Sequence, residues 1–276
     1  MLNIFALLAA ILFFAFALFC GYSFFMQLST LVNYLDQLLW TSEVLDYPQA
    51  QNGLQLANEG EVKRVAVAVD ACLPVIEEAI AVEADLLIVH HGLFWSGLQP
   101  ITGAHYQKLK LAFQHGLAIY SSHLPLDRHP KVGNNVILAK KLGLQKLIPA
   151  LKVQGELIGM KGICKPILRA SFLELVSKAV GGKVHLAPGN AEMVEKVLVV
   201  TGGAGKEIRQ AAKEGVDTFV TGEGDHWSYT TAEELGINLI YAGHYATETF
   251  GVKALGALLE EEFELPWSFI DHPTGL

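Results

Sequence analysis

The chain repeats itself. Val62-Lys63-Arg64-Val65-Ala66-Val67 returns 132 residues later as Val194-Glu195-Lys196-Val197-Leu198-Val199. Asp85-Leu86-Leu87-Ile88-Val89-His90-His91-Gly92 returns at the same offset as Asp217-Thr218-Phe219-Val220-Thr221-Gly222-Glu223-Gly224, and Trp95 returns as Trp227. A third pair, Tyr120-Ser121-Ser122-His123 and Tyr241-Ala242-Gly243-His244, aligns at an offset of 121, where Asp127 answers to Glu248. Two similar lobes that arose by duplication are the simplest account.

Each copy holds three short apolar runs separated by helical stretches, the pattern of an α/β fold. The candidate strands are Arg64–Val69, Leu86–His90, Leu117–Ser121, Lys196–Thr201, Thr218–Thr221 and Leu239–Ala242. The expected domains are a first α/β half over residues 26–150 and a second over 151–276. The helix after residue 247 is free to cross back onto the first half. Between the halves, Ile148–Pro166 is rich in Gly and Lys and reads as a connection with room for one strand.

Composition narrows the function. With 20 Lys+Arg against 28 Asp+Glu the net charge is −8, which excludes a general nucleic-acid binder because such a protein needs a basic face. Hydrophobic residues at 51% and charged residues at 17% exclude disorder. Cys20, Cys72 and Cys164 form neither a disulfide framework nor a CxxC knuckle. A cytoplasmic protein is the default.

Residues 1–25 stand apart: Met1 to Phe25 is an apolar, helix-compatible run without charge, long enough at ~1.5 Å per residue to span a ~30 Å hydrocarbon core. Two readings stay open, a membrane anchor and an extension upstream of a start at Met26. For the second, Ser29 serves as N-cap of a helix patterned by Leu31, Leu35, Leu38 and Leu39. A secretory signal fits less well, since no positive charge precedes the run. The chain is membrane-anchored only if these residues are translated.

The polar residues gather at the strand ends, where α/β sheets bind ligands. His90 and His91 end one strand, Ser121, Ser122, His123 and Asp127 follow the next, Glu223 ends another, and His244 and Glu248 follow the last. Imidazole and carboxylate are the usual ligands of divalent first-row metals outside thiolate sites. Neighbours on a strand point to opposite faces, so His90 and His91 share a site only where Gly92 breaks the strand. His244 and Glu248, four apart, share a helix face. A His pair, one carboxylate and a His-x3-Glu supply five ligands, which suits a dinuclear site with the halves on either side of it. A lone histidine is ordinarily a surface or core residue; three clusters at three strand ends are a different matter. His105, His115, His129, His185 and His272 lack such placement and read as structural.

Several runs are distinctive together: Asn52-Gly53-Leu54-Gln55, Val89-His90-His91-Gly92-Leu93-Phe94-Trp95, Ser121-Ser122-His123-Leu124-Pro125-Leu126-Asp127, Gly133-Asn134-Asn135, Thr221-Gly222-Glu223 and Gly243-His244-Tyr245-Ala246-Thr247-Glu248. In this order, over nearly all of residues 27–276, they resemble the GTP cyclohydrolase 1 type 2 homologues, also called NIF-three-like proteins. The resemblance implies that His90, His91, Asp127, His244 and Glu248 hold two divalent cations per subunit, with Zn, Mn, Fe, Co and Ni not distinguished. It also implies a toroidal homohexamer whose sites face an interior cavity. The activity it implies is hydrolytic: hydroxide formed at the metals opens the imidazole ring of guanine in GTP and releases formate. The alternative is a non-enzymatic metal-handling or regulatory ring. The expected partners are further copies of the chain and a small molecule such as a nucleotide, with no nucleic acid.

Other residues carry secondary roles. His123 and Glu223 are candidate catalytic groups, for proton transfer or for orienting the ligands. Thr201-Gly202-Gly203-Ala204-Gly205-Lys206 is either a strand-to-helix turn or an anion site, and it fails the P-loop pattern. Gly133-Asn134-Asn135 reads as a turn and N-cap. Trp95 and Trp227 either stack a base or pack.

Overall fold

The computed structural model describes residues 25–276. The apolar run expected as an N-terminal helix lies outside these residues, Phe25 excepted. The described part opens with β1 (Met26–Gln27) and α1 (Leu28–Leu39), followed by β2 (Gly53–Leu56) and β3 (Glu61–Val62). An alternating run comes next: β4 (Val65–Asp70), α2 (Leu73–Ala81), β5 (Leu86–His91), α3 (Gly103–Gln114) and β6 (Ala118–Ser121). Two short helices, α4 (Leu124–Asp127) and α5 (Asn134–Lys141), lead into the hairpin β7 (Gln145–Val153) and β8 (Glu156–Leu168). Then follow α6 (Arg169–Val180), β9 (His185–Ala187), β10 (Met193–Val200), a 3-10 turn at Gly205–Glu207 and α7 (Ile208–Lys213). The chain continues through β11 (Thr218–Thr221), α8 (His226–Leu235), β12 (Asn238–Tyr241), the long α9 (His244–Phe263) and β13 (Trp267–Phe269).

All six candidate strands are strands, and they form the centres of two mixed sheets. One sheet runs β13-β4-β5-β6-β2, the other β7-β8-β10-β11-β12-β9. In each, three consecutive strands are parallel: β4-β5-β6 and β10-β11-β12. Such strands are covered on both faces, so apolar residues run through their central positions without alternation. In the first sheet, Val65, Val67, Leu86 and Ile88 pack towards α1 and α9. Their alternates Ala66, Ala68, Leu87 and Val89 pack towards α2 and α3. The period of two follows from the pleat.

Helix α1 is held by Leu28, Leu31, Leu35 and Leu39, all buried at helical spacing. Burial of each such side chain stabilises by roughly 1.5–3 kcal/mol. Ser29 is not its cap: the helix begins at Leu28, Gln27 occupies the cap position, and no side chain caps it. Packing of the leucines outweighs a terminal hydrogen bond.

Ile148–Pro166 differs from the expected connection. It lies within a long antiparallel hairpin, β7 and β8, that extends the second sheet from β10. At the other end of the chain, α9 packs on β4 and β5, and β13 pairs in parallel with β4. The last helix and strand therefore join the sheet of residues 53–121. Among the described residues no helix is long and apolar enough to cross a membrane.

Candidate metal centre

The carboxyl ends of β5, β6, β10, β11 and β12 converge, and the strand-end histidines come with them. His90 is fully buried and His91 largely so, with ring centres 4.8 Å apart. Strand β5 ends at His91, and Gly92 makes the break. A Cβ on Gly92 would lie 2.3 Å from the Gln55 side chain, whose Oε1 accepts the Leu93 N–H at 2.6 Å. Gln55 thus locks the turn that lets adjacent histidines reach one place.

Each of four imidazoles is pinned through Nδ1. His90 Nδ1–H donates to the Ser122 carbonyl at 2.9 Å, and His91 Nδ1–H to Asp70 Oδ1 at 2.9 Å. His123 Nδ1–H donates to Asp46 Oδ1 at 2.9 Å, and His244 Nδ1–H to Glu223 Oε1 at 2.8 Å. A carbonyl or carboxylate can only accept, so Nδ1 carries the proton and Nε2 remains to meet a cation.

Glu248 stands in the middle, 2% exposed. Its Oε1 is 3.4 Å from His90 Nε2, while Oε2 is 3.5 Å from His91 Nε2 and 3.2 Å from His244 Nε2. Asp127 brings Oδ2 to 3.5 Å from His90 Nε2. Among the described residues, buried His90 Nε2 and Glu248 Oε2 find no hydrogen-bond partner. Buried polar atoms are rarely left so, because each costs roughly 1–3 kcal/mol. Two donors that each sit about 2.1 Å from one ion at right or tetrahedral angles are about 3.0–3.4 Å apart. The separations here are of that size, and the donor set suits a divalent cation. Donor atoms of His91, His244 and Glu248 fall within 4.8 Å of one another, and so do those of His90, His91 and His123.

The electrostatics agree. Burial alone would lower the His90 pKa, but the Asp127 and Glu248 carboxylates push it up to about 10. His244 is pushed up to about 9, against its burial, by Glu248 and Glu223. Burial acts to raise Glu248, yet His91, His90 and His244 hold it well below the usual carboxylate range. Asp46 is likewise lowered: burial is outweighed by His123, Asn52 and the Leu124 amide. These are the signs of a cavity that places positive charge beside its carboxylates.

The five residues of the His-His pair, Asp127 and the His-x3-Glu therefore meet, and His123 and Glu223 flank them. All but His90 line a cavity of about 700 Å³. Asp46 and Asp70 are not singled out by the sequence, and Gln55 and Thr201 stand out only as members of a distinctive run and of a strand-to-helix turn, not as orienting groups; Thr201 donates from Oγ1 to Asp127 Oδ1 at 3.3 Å. For Asp70 the signal exists, since it ends β4 in register with His91. Asp46 lies in a loop without local signal.

Gly133-Asn134-Asn135 is more than a turn and cap. Gly133 is the cap residue, and both asparagines are fully buried. Asn134 Nδ2 donates to Asp127 Oδ1 at 2.8 Å, and its Oδ1 accepts the Gly251 N–H at 2.6 Å. Asn135 donates to the Asp127 and Ile158 carbonyls and accepts the Thr201 N–H at 2.7 Å.

Two mixed sheets that pool buried imidazoles and carboxylates at their strand ends define an α/β protein with a candidate metal site. The pattern of the Duf34/NIF3 (NGG1p interacting factor 3) family matches residues 26–274, and the chain belongs to that family. It is 40% identical over 247 residues to a GTP cyclohydrolase 1 type 2 homolog of Deinococcus radiodurans, covering 87% of this chain and 94% of the relative. A relative of the same name from Pyrococcus abyssi is 42% identical over 254 residues, covering 91% and 100%. The crystal structure of TTHA1606 from Thermus thermophilus superposes with a TM-score of 0.83 at 43% identity, covering 91% of this chain and all of that one.

Proposed function

We propose that the chain holds two divalent cations and uses them in hydrolysis. The observation that carries this is the position of Glu248. One oxygen faces His90, beside Asp127, and the other faces His91 and His244. With Glu248 so placed, His90 and Asp127 would hold one cation and His91 and His244 the other, with Glu248 serving both. The cavity over the site favours catalysis over a purely structural role, because structural sites are closed by protein.

The cations supply Lewis acidity towards the substrate and towards water. The side chains do the rest. Asp46 fixes His123 so that its Nε2 is the atom that takes or returns a proton at the cavity wall. Glu223 orients His244 through Oε1 and keeps Oε2 to relay a proton to the leaving nitrogen. The name borne by the relatives points to GTP. There one water adds at C8 and the C8–N9 bond opens, the proton going to N9; a second water then releases the carbon as formate.

The same reading carries the toroidal homohexamer of the family to this chain. Large apolar side chains left exposed on the described surface, such as Leu98, Ile101 and Phe113, support an assembly. Metal analysis of the purified protein, coupled to a panel of nucleotides screened for hydrolysis, tests the function. Two ions per chain and metal-dependent formate release from GTP are expected; full turnover in stripped protein overturns it.

A further inference from the structure

Two features that the metal centre does not use meet in the cavity beside it. Trp95 packs 4.6 Å from the ring centre of His123 and 5.3 Å from that of His91, yet it stays 39% exposed. Tyr47 meets it edge-on at 6.2 Å. Its repeat counterpart Trp227 is also exposed but does not line the cavity, so the shared position does not account for Trp95. The second feature is Lys206, in the turn Gly205–Glu207, whose Nζ lies 5.8 Å from the Tyr47 ring centre. Among the described residues Lys206 forms no hydrogen bond or ion pair, whereas the other lysine of the cavity, Lys108, is tied to the Ala71 carbonyl at 3.2 Å.

An open indole next to the reacting groups offers a flat ring a stacking partner. An ammonium that rests over Tyr47 with its hydrogen-bond donors unused among the described residues offers an anion a charge-assisted hydrogen bond. Trp95 and Tyr47 both border His123, whose ring centre is 4.6 Å from that of Trp95 and 6.0 Å from that of Tyr47, and Lys206 lies over Tyr47. We infer that Trp95, Tyr47 and Lys206 form the recognition wall of the cavity, and that its ligand is a flat heteroaromatic ring carrying an anionic tail. The ring stacks on Trp95 with one edge towards the metal centre, and the tail runs past Tyr47 to Lys206. Glu207 borders the same turn, so the wall reads one anionic group of the tail, and any further phosphates lie beyond it. This rests on the metal-dependent reading for what happens to the ring, but not for how the ring is held.

The test is a binding titration of the zinc-loaded full chain with guanosine, guanosine 5′-monophosphate and ribose 5-phosphate, which carry the ring, both parts and the anion. The wild type binds the monophosphate about tenfold or more tighter than guanosine. Lys206→Ala brings that ratio close to one, and Lys206→Arg restores it. Trp95→Ala weakens guanosine and the monophosphate alike by on the order of tenfold and leaves ribose 5-phosphate unchanged, in keeping with stacking. The inference is overturned if the wild type binds none of the three, if Lys206→Ala keeps the ratio, or if Trp95→Ala leaves guanosine binding intact. Zinc content measured on the same samples separates the two readings: loss of the wall leaves it unchanged, whereas failure of the metal reading shows in the wild type.

Discussion

Asn134 donates from Nδ2 to Asp127 Oδ1 at 2.8 Å, and both side chains are buried. That bond turns the other carboxylate oxygen towards His90. Because Asn134 also accepts from the backbone of α9, it ties Asp127 to the helix that carries Glu248. Asn134→Leu keeps the size and removes the donor. Loss of an outer hydrogen bond to a metal ligand typically costs 10–100-fold in affinity. The expected result is that the weaker of two zinc ions dissociates 10–100-fold more readily while the other is retained, read by competition with a chromogenic chelator. Equal weakening of both ions would assign Asn134 to folding alone.

Glu248→Gln replaces one oxygen by an amide that cannot take a cation and removes the negative charge shared by three imidazoles. If Glu248 bridges, zinc content falls from two ions per chain to one or none, by elemental analysis of gel-filtered protein. Retention of both ions would refute the bridge. Asp127→Asn, which touches only His90 among these imidazoles, is expected to lose one ion.

Gly202 sits in the left-handed region at φ +68°, and a Cβ there would lie 2.2 Å from Glu248 Oε1. Gly202→Ala therefore meets two penalties, the backbone strain of a non-glycine residue, about 1 kcal/mol, and a collision with the central carboxylate. A lower thermal midpoint and a loss of bound zinc are expected together. A stable variant with full zinc would show that the turn after β10 yields without disturbing Glu248.

What the sequence makes legible follows from where the information lies. The parallel strands are readable because burial on both faces leaves runs such as Val65–Val69 and Leu86–Val89 apolar throughout. The hairpin β7–β8 is not, because Lys146, Pro149, Lys152, Gly159 and Gly162 interrupt any alternation. Gly159 and Gly162 are there because neighbours leave no room: a Cβ would meet Val200 or Leu147 at 2.7 Å. The strand-end histidines stand out through the repeat and their adjacency. Their orienters do not, since Asp46 meets His123 only across 77 residues of chain, and Asn134 and Asn135 look like cap residues until the fold places Asp127 beside them. Tertiary partners, not local pattern, decide what those side chains do.

The raised pKa values set a proton balance. In the metal-free protein His90, at about 10, and His244, at about 9, are protonated at pH 7.5. A cation must displace those protons, so zinc uptake releases protons and strengthens as pH rises towards 9–10. Calorimetry in buffers of different ionisation enthalpy measures the number, expected to be about two near pH 7.5. For stability the sign is opposite. A histidine whose folded pKa lies above its unfolded value of about 6.5 stabilises the metal-free fold below that pH, and the contribution is lost as pH rises through 9 and 10. Glu248, shifted down, contributes above its unfolded pKa and loses that contribution on acidification. The thermal midpoint of stripped protein is therefore expected to fall between pH 7 and pH 10, while that of zinc-loaded protein holds, since in it the cations already hold the neutral imidazoles. Parallel midpoints for the two forms across this range would mean that His90 and His244 are not charged when the metal is absent.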